Sequence, residues 1–225
     1  MRWESTRGLL FCDHAGSWCA GKGGVPKQLS YGNDAVETVS YDPDGAKKLL
    51  EESGWTDTDG DGYVDKDGEK LSINWLTYPT RLEQPKLAEY AQATLKEIGI
   101  DVQVNNTSDH RTFAENGDFD VYVSSTTTAP TGDPEYFFTS TVVGSKNYGK
   151  YQNEEVTKLT EKLHQTFDKD ERGKIAVELQ QDILDDDAFF FVSHLNMGIV
   201  TKSNVTGMAA HPCDYYEITA DLDVE

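Results

Sequence analysis

The sequence predicts an α/β fold with a mixed sheet flanked by helices, and three observations support this. Residues 71–76 alternate between apolar and polar side chains, as a half-buried strand does. A segment opened by Pro85 then places apolar residues at helical spacing until Gly99, and residues 100–104 alternate again. A strand, a helix and a strand in this order predict a right-handed crossover between two parallel strands.

Further elements are expected before and after this unit. A helix begins at Pro43, where Asp42 supplies the N-cap, and Gly54 ends it in the left-handed conformation. Residues 1–41 show no sustained period and are predicted to be irregular. The remaining predictions are a strand at residues 119–125, helices from about Asn153 and from about Lys169, and strands at residues 189–192, 198–201 and 216–222.

The charge of the chain restricts its partners. It holds 40 acidic and 20 basic residues, and the resulting formal net charge of −20 repels nucleic acid and the anionic face of a membrane. We therefore expect no nucleic-acid partner. The apolar content of 37% is ordinary for a folded protein, and three cysteines are too few for a disulfide framework.

Segments that target or span membranes are not evident in the sequence. No apolar stretch approaches the roughly 20 residues of a membrane span, and the first residues lack the features of a signal peptide. If the protein acts outside the cell membrane, we expect this chain to be a piece of a longer one.

Signatures of catalysis are also missing from the sequence. It contains neither a GxSxG nucleophile elbow nor an HExxH zinc motif, and its glycine-rich stretch lacks the GxxxxGK[ST] spacing that binds phosphates. No motif pairs a nucleophile with a base. We therefore do not expect an enzyme, and no cofactor is required.

Residues 57–65, here called the acidic loop, carry the sharpest local motif. Asp57, Asp59, Asp61 and Asp65 occupy positions 1, 3, 5 and 9 of a calcium-loop pattern, and Tyr63 offers its backbone carbonyl. Position 12 is a glycine instead of the bidentate glutamate, and a strand is predicted to follow instead of a helix. Two interpretations remain open. One is a bound Ca²⁺ ion, which suits a calcium-binding surface or adhesion module, and the other is an acidic, glycine-rich connector.

A run of short phrases resembles the C-terminal half of family 5 periplasmic binding proteins, which bind oligopeptides, dipeptides and nickel chelates. The resemblance covers about residues 30–225. The phrases are YDP (41–43) with AKKLLEESGW (46–55), ATLKEIGI (93–100), GDPEYFF (132–138), YQN (151–153) and AVELQQDIL (176–184). Their shared order and spacing make the resemblance specific, although each phrase is weak by itself.

The resemblance implies a fold and a role. The fold is the C-terminal lobe of a periplasmic-binding-protein type II-like, two-lobed fold of cluster C. Residues 1–39 are then a remnant of the hinge or N-terminal lobe, residues 40–192 the ligand-binding lobe, and residues 193–225 strands that return toward the missing N-terminal lobe. The implied role is the substrate-binding component of an ABC importer for peptides or for nickel and other metal chelates. Its location would be extracytoplasmic, at the periplasm or the cell surface, and its partner an ABC transporter permease.

The resemblance also implies ligand-binding residues, because the loop before the Asp-Pro pair faces the ligand in this family. The primary candidates are Thr127, Thr128, Ala129, Thr131 and Gly132. Tyr78 and Arg81 are secondary candidates, and Asp133 is expected to brace the loop. Nickel-chelate binders of this family tend to place aromatic residues where this chain has Thr128 and Gly132, and peptide binders often place an aspartate nearby. Peptide and nickel chelate therefore both remain open as ligands.

Overall fold

A computed structural model describes residues 18–38, 40–195, 198–209 and 218–225. The strands are, in chain order, β1 (Trp18–Ala20), β2 (Asp65–Lys66), β3 (Glu69–Lys70), β4 (Ser72–Thr77), β5 (Asp101–Asn106), β6 (Val121–Tyr122), β7 (Ser193–Leu195), β8 (Val205–Thr206) and β9 (Asp223–Val224). The helices are α1 (Pro43–Glu52), α2 (Glu83–Lys96), α3 (His110–Asn116), α4 (Glu135–Phe137), α5 (Glu154–Gln165) and α6 (Lys169–Asp185). None of the helices in these ranges combines the length and the apolar character needed to cross a membrane.

The chain divides into two compact units. Unit one comprises Asp42–Thr126 and Tyr148–Lys150. Unit two comprises the described parts of Arg2–Tyr41, Thr127–Asn147 and Tyr151–Glu225. The chain therefore passes between the units at several points, one of which lies between Thr126 and Thr127.

Unit one is built on a parallel three-stranded sheet in the order β5-β4-β6. Strand β4 pairs with β5 along its whole length, from Ser72 opposite Asp101 to Thr77 opposite Asn106. Helix α2 connects these two strands and buries one face, including Ala88, Ala91 and Leu95. The predicted crossover and the α/β class are confirmed. The antiparallel pairings lie in separate two-stranded ladders rather than in this sheet.

Local signals explain where the helices of unit one begin and end. The Asp42 side chain accepts a hydrogen bond of 2.8 Å from the amide of Gly45, which confirms the predicted cap of α1. Gly99, after α2, has a φ of +81°, a conformation that favours glycine. A Cβ atom at Gly99 would also lie 2.9 Å from Cγ1 of Val64. Glycine is therefore required there for both conformation and space.

Unit two has its core between α4, α5 and α6. The buried residues of this core are Val25, Tyr31, Phe137, Phe138, Val142, Val156, Leu163, Ile175, Ala176, Leu179 and Ile183. The predicted helices are confirmed, with side chains of Asn153 and Asp168 as their N-caps. Strand β1 pairs antiparallel with β7, so segments from opposite ends of the chain meet in this unit.

The strand prediction at residues 119–125 is confirmed in position, although its ladder is short. Only Val121 and Tyr122 form β6, which pairs parallel with β4. Hydrogen bonds continue on both sides, because the amide of Asp120 donates to the Asn74 carbonyl and that of Val123 to the Leu76 carbonyl.

Three strand predictions near the C-terminus are wrong for the described residues. Residues 189–192 form no strand, because Phe189 and Phe191 use their rings to pack around Phe137 and the ladder begins at β7. Residues 198–201 form none either. Of residues 216–222, the first two lie outside the described residues, and residues 218–222 form no strand. The ladder in this region pairs β8 with β9. The strands were predicted from apolar and β-branched composition, which does not show whether a partner strand is in place to pair with them.

Two adjacent leucines of α1 allow a matched test of the packing of unit one. Leu50 is 6% exposed and Leu49 is 55% exposed. We expect Leu50→Ala to lower the free energy of unfolding by about 2–5 kcal/mol because it leaves a cavity, and Leu49→Ala by less than about 0.5 kcal/mol. Urea unfolding followed by tryptophan fluorescence, to which the buried Trp75 of the same unit contributes, measures both. Equal losses in the two variants would contradict the packing described here.

Candidate functional site

Residues 127–132, here called the polar loop, open the second segment of unit two. Thr127, Thr131 and Gly132 are exposed, whereas Thr128 and Ala129 are half-buried. Ala129 packs against the core of unit two. The loop ends in a turn in which the amide of Gly132 donates to the Ala129 carbonyl at 3.0 Å. The structure therefore brings the five primary candidates together in one short, solvent-facing segment.

Gly132 and Asp133 give the end of the polar loop a defined shape. Gly132 has a φ of +76°, and a Cβ atom there would meet nothing within 4 Å. Backbone conformation rather than space therefore accounts for the glycine. Both oxygens of Asp133 accept hydrogen bonds from Arg172, at 2.9 and 2.7 Å. This arrangement agrees with the expectation that Asp133 braces the loop.

The hydroxyls of the polar loop are available to a ligand. Within the part of the chain that the structure describes, no hydrogen bond involves the hydroxyl of Thr127, Thr128 or Thr131. A hydroxyl both donates and accepts, so three of them in one loop can match either kind of polar group on a solute.

The secondary candidates Tyr78 and Arg81 belong to unit one, in the connection between β4 and α2. Tyr78 is only 7% exposed, and its hydroxyl accepts a hydrogen bond of 3.0 Å from the amide of Ser125. Arg81 is exposed. The two residues are therefore close in sequence but differ in their surroundings, and both follow the carboxyl end of a parallel strand, where open α/β sheets bind their ligands.

Tyr78, His110 and Tyr122, here called the aromatic–histidine cluster, lie at that same end of the sheet. The rings of Tyr78 and His110 stack with centroids 4.1 Å apart. Nδ1 of His110 shares a hydrogen bond of 2.6 Å with the hydroxyl of Tyr122. Burial, aided by the neighbouring charge of Arg111 and opposed by Asp109, lowers the pKa of His110. Burial also raises the pKa of Tyr122 to about 12, so its hydroxyl stays protonated at neutral pH.

The acidic loop places three of its carboxylates together. Asp57, Asp59 and Asp61 each have an oxygen within 4.8 Å of the others, and all three are exposed. Asp65 instead accepts hydrogen bonds from the amide and the hydroxyl of Thr58, at 2.9 and 2.6 Å. These bonds lower the pKa of Asp65. The structure thus brings together three of the four predicted carboxylates.

The carboxylates of this loop already have partners. Asp57 accepts from the amides of Gly60 and Gly62, at 2.7 and 3.0 Å. Asp61 bonds to Lys70, and that bond lowers the pKa of Asp61. The ammonium group of Lys70 also lies 4.4 Å from the ring centroid of Tyr63. The loop is therefore a folded turn held by its own backbone amides and a lysine, and calcium binding by Asp57, Asp59, Asp61, Tyr63 and Asp65 stays a prediction.

Several side chains that shape these sites gave no signal in the sequence. His110 is a single histidine at the start of a short helix, and Arg172 is one of several charged residues at the start of α6. Their partners Tyr122 and Asp133 are 12 and 39 residues away in sequence. Patterns within one segment carry no information about such pairs.

The comparison with family models gives one match. Residues 16–149 match the family described as bacterial extracellular solute-binding proteins, family 5 Middle. This range contains all of the sheet of unit one and the whole polar loop.

Individual relatives agree with this match. The oligopeptide-binding protein AppA of Bacillus subtilis is 30% identical over 200 residues, which cover 86% of this chain and 37% of AppA. A structure of AppA in complex with a nonapeptide matches with a TM-score of 0.71 over 88% of this chain and 41% of that chain, at 25% identity. The nickel-binding periplasmic protein of Escherichia coli is 26% identical over 82% of this chain and 36% of that protein. A structure of NikA from Staphylococcus aureus in complex with Ni(L-His)₂ shares the fold, with a TM-score of 0.76 over 99% of this chain and 46% of that chain, at 22% identity.

The fold is that of extracellular solute-binding proteins, which confirms the predicted periplasmic-binding-protein type II-like class. The chain belongs to family 5 of the bacterial extracellular solute-binding proteins. It spans 37% of the length of AppA and 36% of that of the Escherichia coli protein. The family consists of binding proteins and is described as extracellular. A calcium-dependent surface or adhesion module has no support from these comparisons.

The lowered pKa of His110 predicts a pH dependence of stability. Because folding lowers this pKa, the unfolded chain takes up a proton first as the pH falls below the ordinary histidine value of about 6.5. Stability is therefore lost from about pH 6.5 downward, until His110 is protonated in the folded protein as well. Urea unfolding between pH 7.5 and pH 5 measures this loss.

A His110→Gln variant isolates the contribution of this side chain. Burial lowers the pKa of His194 too, with the same sign, so His194 stays in both proteins and its effect cancels. We expect the stability difference between the wild type and His110→Gln to shrink as the pH falls. Parallel pH profiles would show that His110 does not contribute.

Proposed function

We propose that this chain is the ligand-binding part of the substrate-binding component of an ABC importer. The observation that carries the proposal is the family match over residues 16–149, which spans the sheet of unit one and the polar loop. The relatives named oligopeptide-binding and nickel-binding proteins support a transported solute of one of these two kinds. The chain binds this solute and does not transform it.

We propose Thr127, Thr128, Ala129, Thr131 and Gly132 as the ligand-facing residues, with Tyr78 and Arg81 as secondary contacts. The loop supports this assignment because it is exposed at both ends and its hydroxyls have no partner among the described residues. It contains no titratable side chain. Recognition by this loop therefore rests on hydrogen bonds and shape rather than on charge.

The chemistry of the polar loop restricts how a metal would be bound. Imidazole is a good side-chain ligand for nickel, and residues 127–132 include no histidine. If nickel is the solute, this loop therefore does not supply its metal ligands, and its hydroxyls contact a chelator instead. A peptide suits the loop equally well, because its amides both donate and accept hydrogen bonds.

The family membership supports further parts of the proposal. Residues 40–192 form the ligand-binding lobe, residues 1–39 belong to the hinge or N-terminal lobe, and residues 193–225 return toward that lobe. The protein works outside the cytoplasmic membrane, at the periplasm or the cell surface, and delivers its solute to an ABC transporter permease. No nucleic-acid partner is proposed, in agreement with a net charge of −20.

A thermal-shift screen tests the proposed function. The protein at its natural length is screened with a nonapeptide, with Ni²⁺, with Ni²⁺ and L-histidine, and with Ca²⁺. A ligand present at 100 times its Kd stabilises the folded state by about 2.7 kcal/mol, so a clear rise in the melting temperature is expected for the true solute. A rise with Ca²⁺ that is abolished by Asp57→Asn, with no response to the other probes, would instead support the calcium-binding module.

A bulky residue in the polar loop tests the site. We expect Thr128→Trp to change the Kd of the probe that binds by roughly tenfold, because the indole occupies the space of the solute, and to leave the melting temperature nearly unchanged. Thr201→Trp is the matched control, since Thr201 is an exposed threonine of the same unit outside the loop. A large loss of stability in Thr128→Trp would make the loop a structural element instead.

A further inference from the structure

Arg172, in the first turns of α6, donates hydrogen bonds to two carboxylates and two backbone carbonyls. Nε and Nη2 donate to Asp133 at 2.9 and 2.7 Å, and Nη2 also donates to Glu135 at 2.9 Å. Nη1 donates to the carbonyls of Leu163 and Thr166, at 2.6 and 2.7 Å. A planar guanidinium with several fixed donors suits such a junction, and an ammonium group does not.

Arg172 is largely buried, so its hydrogen bonds restrict the movement of the groups that it joins. Its side chain is 14% exposed, so its charge is largely removed from water and depends on its partners. The two carbonyls lie at the end of α5, where the Leu163 carbonyl also accepts from the amide of Thr166 at 3.2 Å. Asp133 and Glu135 directly follow the polar loop. One side chain thus joins the end of α5, the start of α6 and the exit of the loop.

Tyr31 holds the last residue of the loop through a different bond. Its hydroxyl donates to the carbonyl of Gly132, and its own carbonyl accepts from Nε2 of Gln180 at 2.8 Å. The ring is buried in the core of unit two. Burial and the nearby charge of Asp133 raise the pKa of the hydroxyl to about 12, so it remains a donor at neutral pH.

Helix α6 positions both of the groups that bond to the exit of the loop, Arg172 and the hydroxyl of Tyr31. Arg172 is on this helix, and Gln180 of the same helix fixes Tyr31. The two groups bond to consecutive residues, Tyr31 to the carbonyl of Gly132 and Arg172 to the carboxylate of Asp133. The preceding threonine hydroxyls take part in neither contact. The loop is thus held at its exit while its hydroxyls stay available.

We propose that Arg172 and Tyr31 are positioning residues that hold the polar loop in its ligand-binding geometry. This inference rests on the proposed function, because it takes the polar loop to contact the solute. Holding the loop in one geometry lowers the entropy lost on binding, since the hydroxyls need not be ordered by the ligand. Neither residue touches the solute itself.

Three variants and two matched controls test the inference. Arg172→Lys keeps the charge and loses the fork of donors, and Arg172→Gln loses both. Lys174→Gln is the matched control for the lost charge, because Lys174 is an exposed cation on the same helix. Tyr31→Phe removes one hydroxyl and keeps the buried ring.

Tyr151→Phe is the matched control for Tyr31→Phe. The hydroxyl of Tyr151 belongs to the same unit and donates to Asp186, outside the loop.

Two readouts separate positioning from general stability. Hydrogen exchange followed by mass spectrometry reports, without any ligand, the protection of the Gly132 amide, which donates to the Ala129 carbonyl within the loop. Titration with the nickel–L-histidine complex and with a nonapeptide reports affinity. Both are made on the protein at its natural length, and the melting temperature of each variant is recorded beside them.

We expect both Arg172 variants to speed exchange in the loop and to weaken binding, each by about tenfold, because both lose the guanidinium hydrogen bonds to Asp133 and Glu135 at the exit of the loop. Tyr31→Phe should weaken binding several-fold, and the two controls should match the wild type. If the Arg172 variants fail to fold, Tyr31→Phe decides the question, since it removes a single oxygen atom.

The inference is overturned if loop exchange and affinity in Arg172→Lys and Tyr31→Phe equal those of the controls. A fall in melting temperature with unchanged loop exchange also overturns it, because these residues would then only stabilise the unit. If the wild type binds neither probe although loop exchange responds to the variants, the proposed function fails and the ligand role of the loop fails with it.

Discussion

The buried face of α6 is the constraint on which unit two depends. Ile175, Leu179 and Ile183 of this helix lie in the core, and segments from three distant parts of the chain pack against that core. The side chain of Gln180, on the same helix, is buried as well and donates to the carbonyl of Tyr31 from within the core. A buried amide that is bonded to the backbone fixes one register of the segment it meets. Because Arg172 is part of the same helix, the polar loop inherits its position from this packing.

The sequence predicted the elements that are specified locally. The caps at Asp42 and Asn153 and the left-handed glycines at 54 and 99 act within a few residues, so local patterns located α1, α2 and α5. The parallel pair β4–β5 also followed from one contiguous segment. Strands near the C-terminus were mispredicted because pairing depends on a distant partner. The aromatic residues at 189 and 191 fill the core with their rings, and β7 pairs with a strand near the other end of the chain.

The same distinction applies to the candidate site. The polar loop was predicted from the resemblance to family 5 binding proteins, through the Asp-Pro pair that directly follows it in the sequence. The groups that hold it were not found, since Tyr31 lies 101 residues from Gly132 and Arg172 lies 39 residues from Asp133. Tyr78 was predicted as a ligand contact, and the structure adds that its ring is stacked on His110. The stacking of Tyr78 depends on His110 of α3, a helix that was not predicted from the sequence.

The chemistry of unit two separates the groups that fix shape from the groups that face solvent. Asp133 and Glu135 are both bonded to Arg172, so the largely buried guanidinium charge has two carboxylate partners within the unit. A largely desolvated charge needs fixed partners, and that requirement makes the network rigid. The polar loop beside it contributes only neutral hydroxyls and backbone groups. Under the proposal that this loop contacts the solute, specificity rests on side chains that take no part in the charged network.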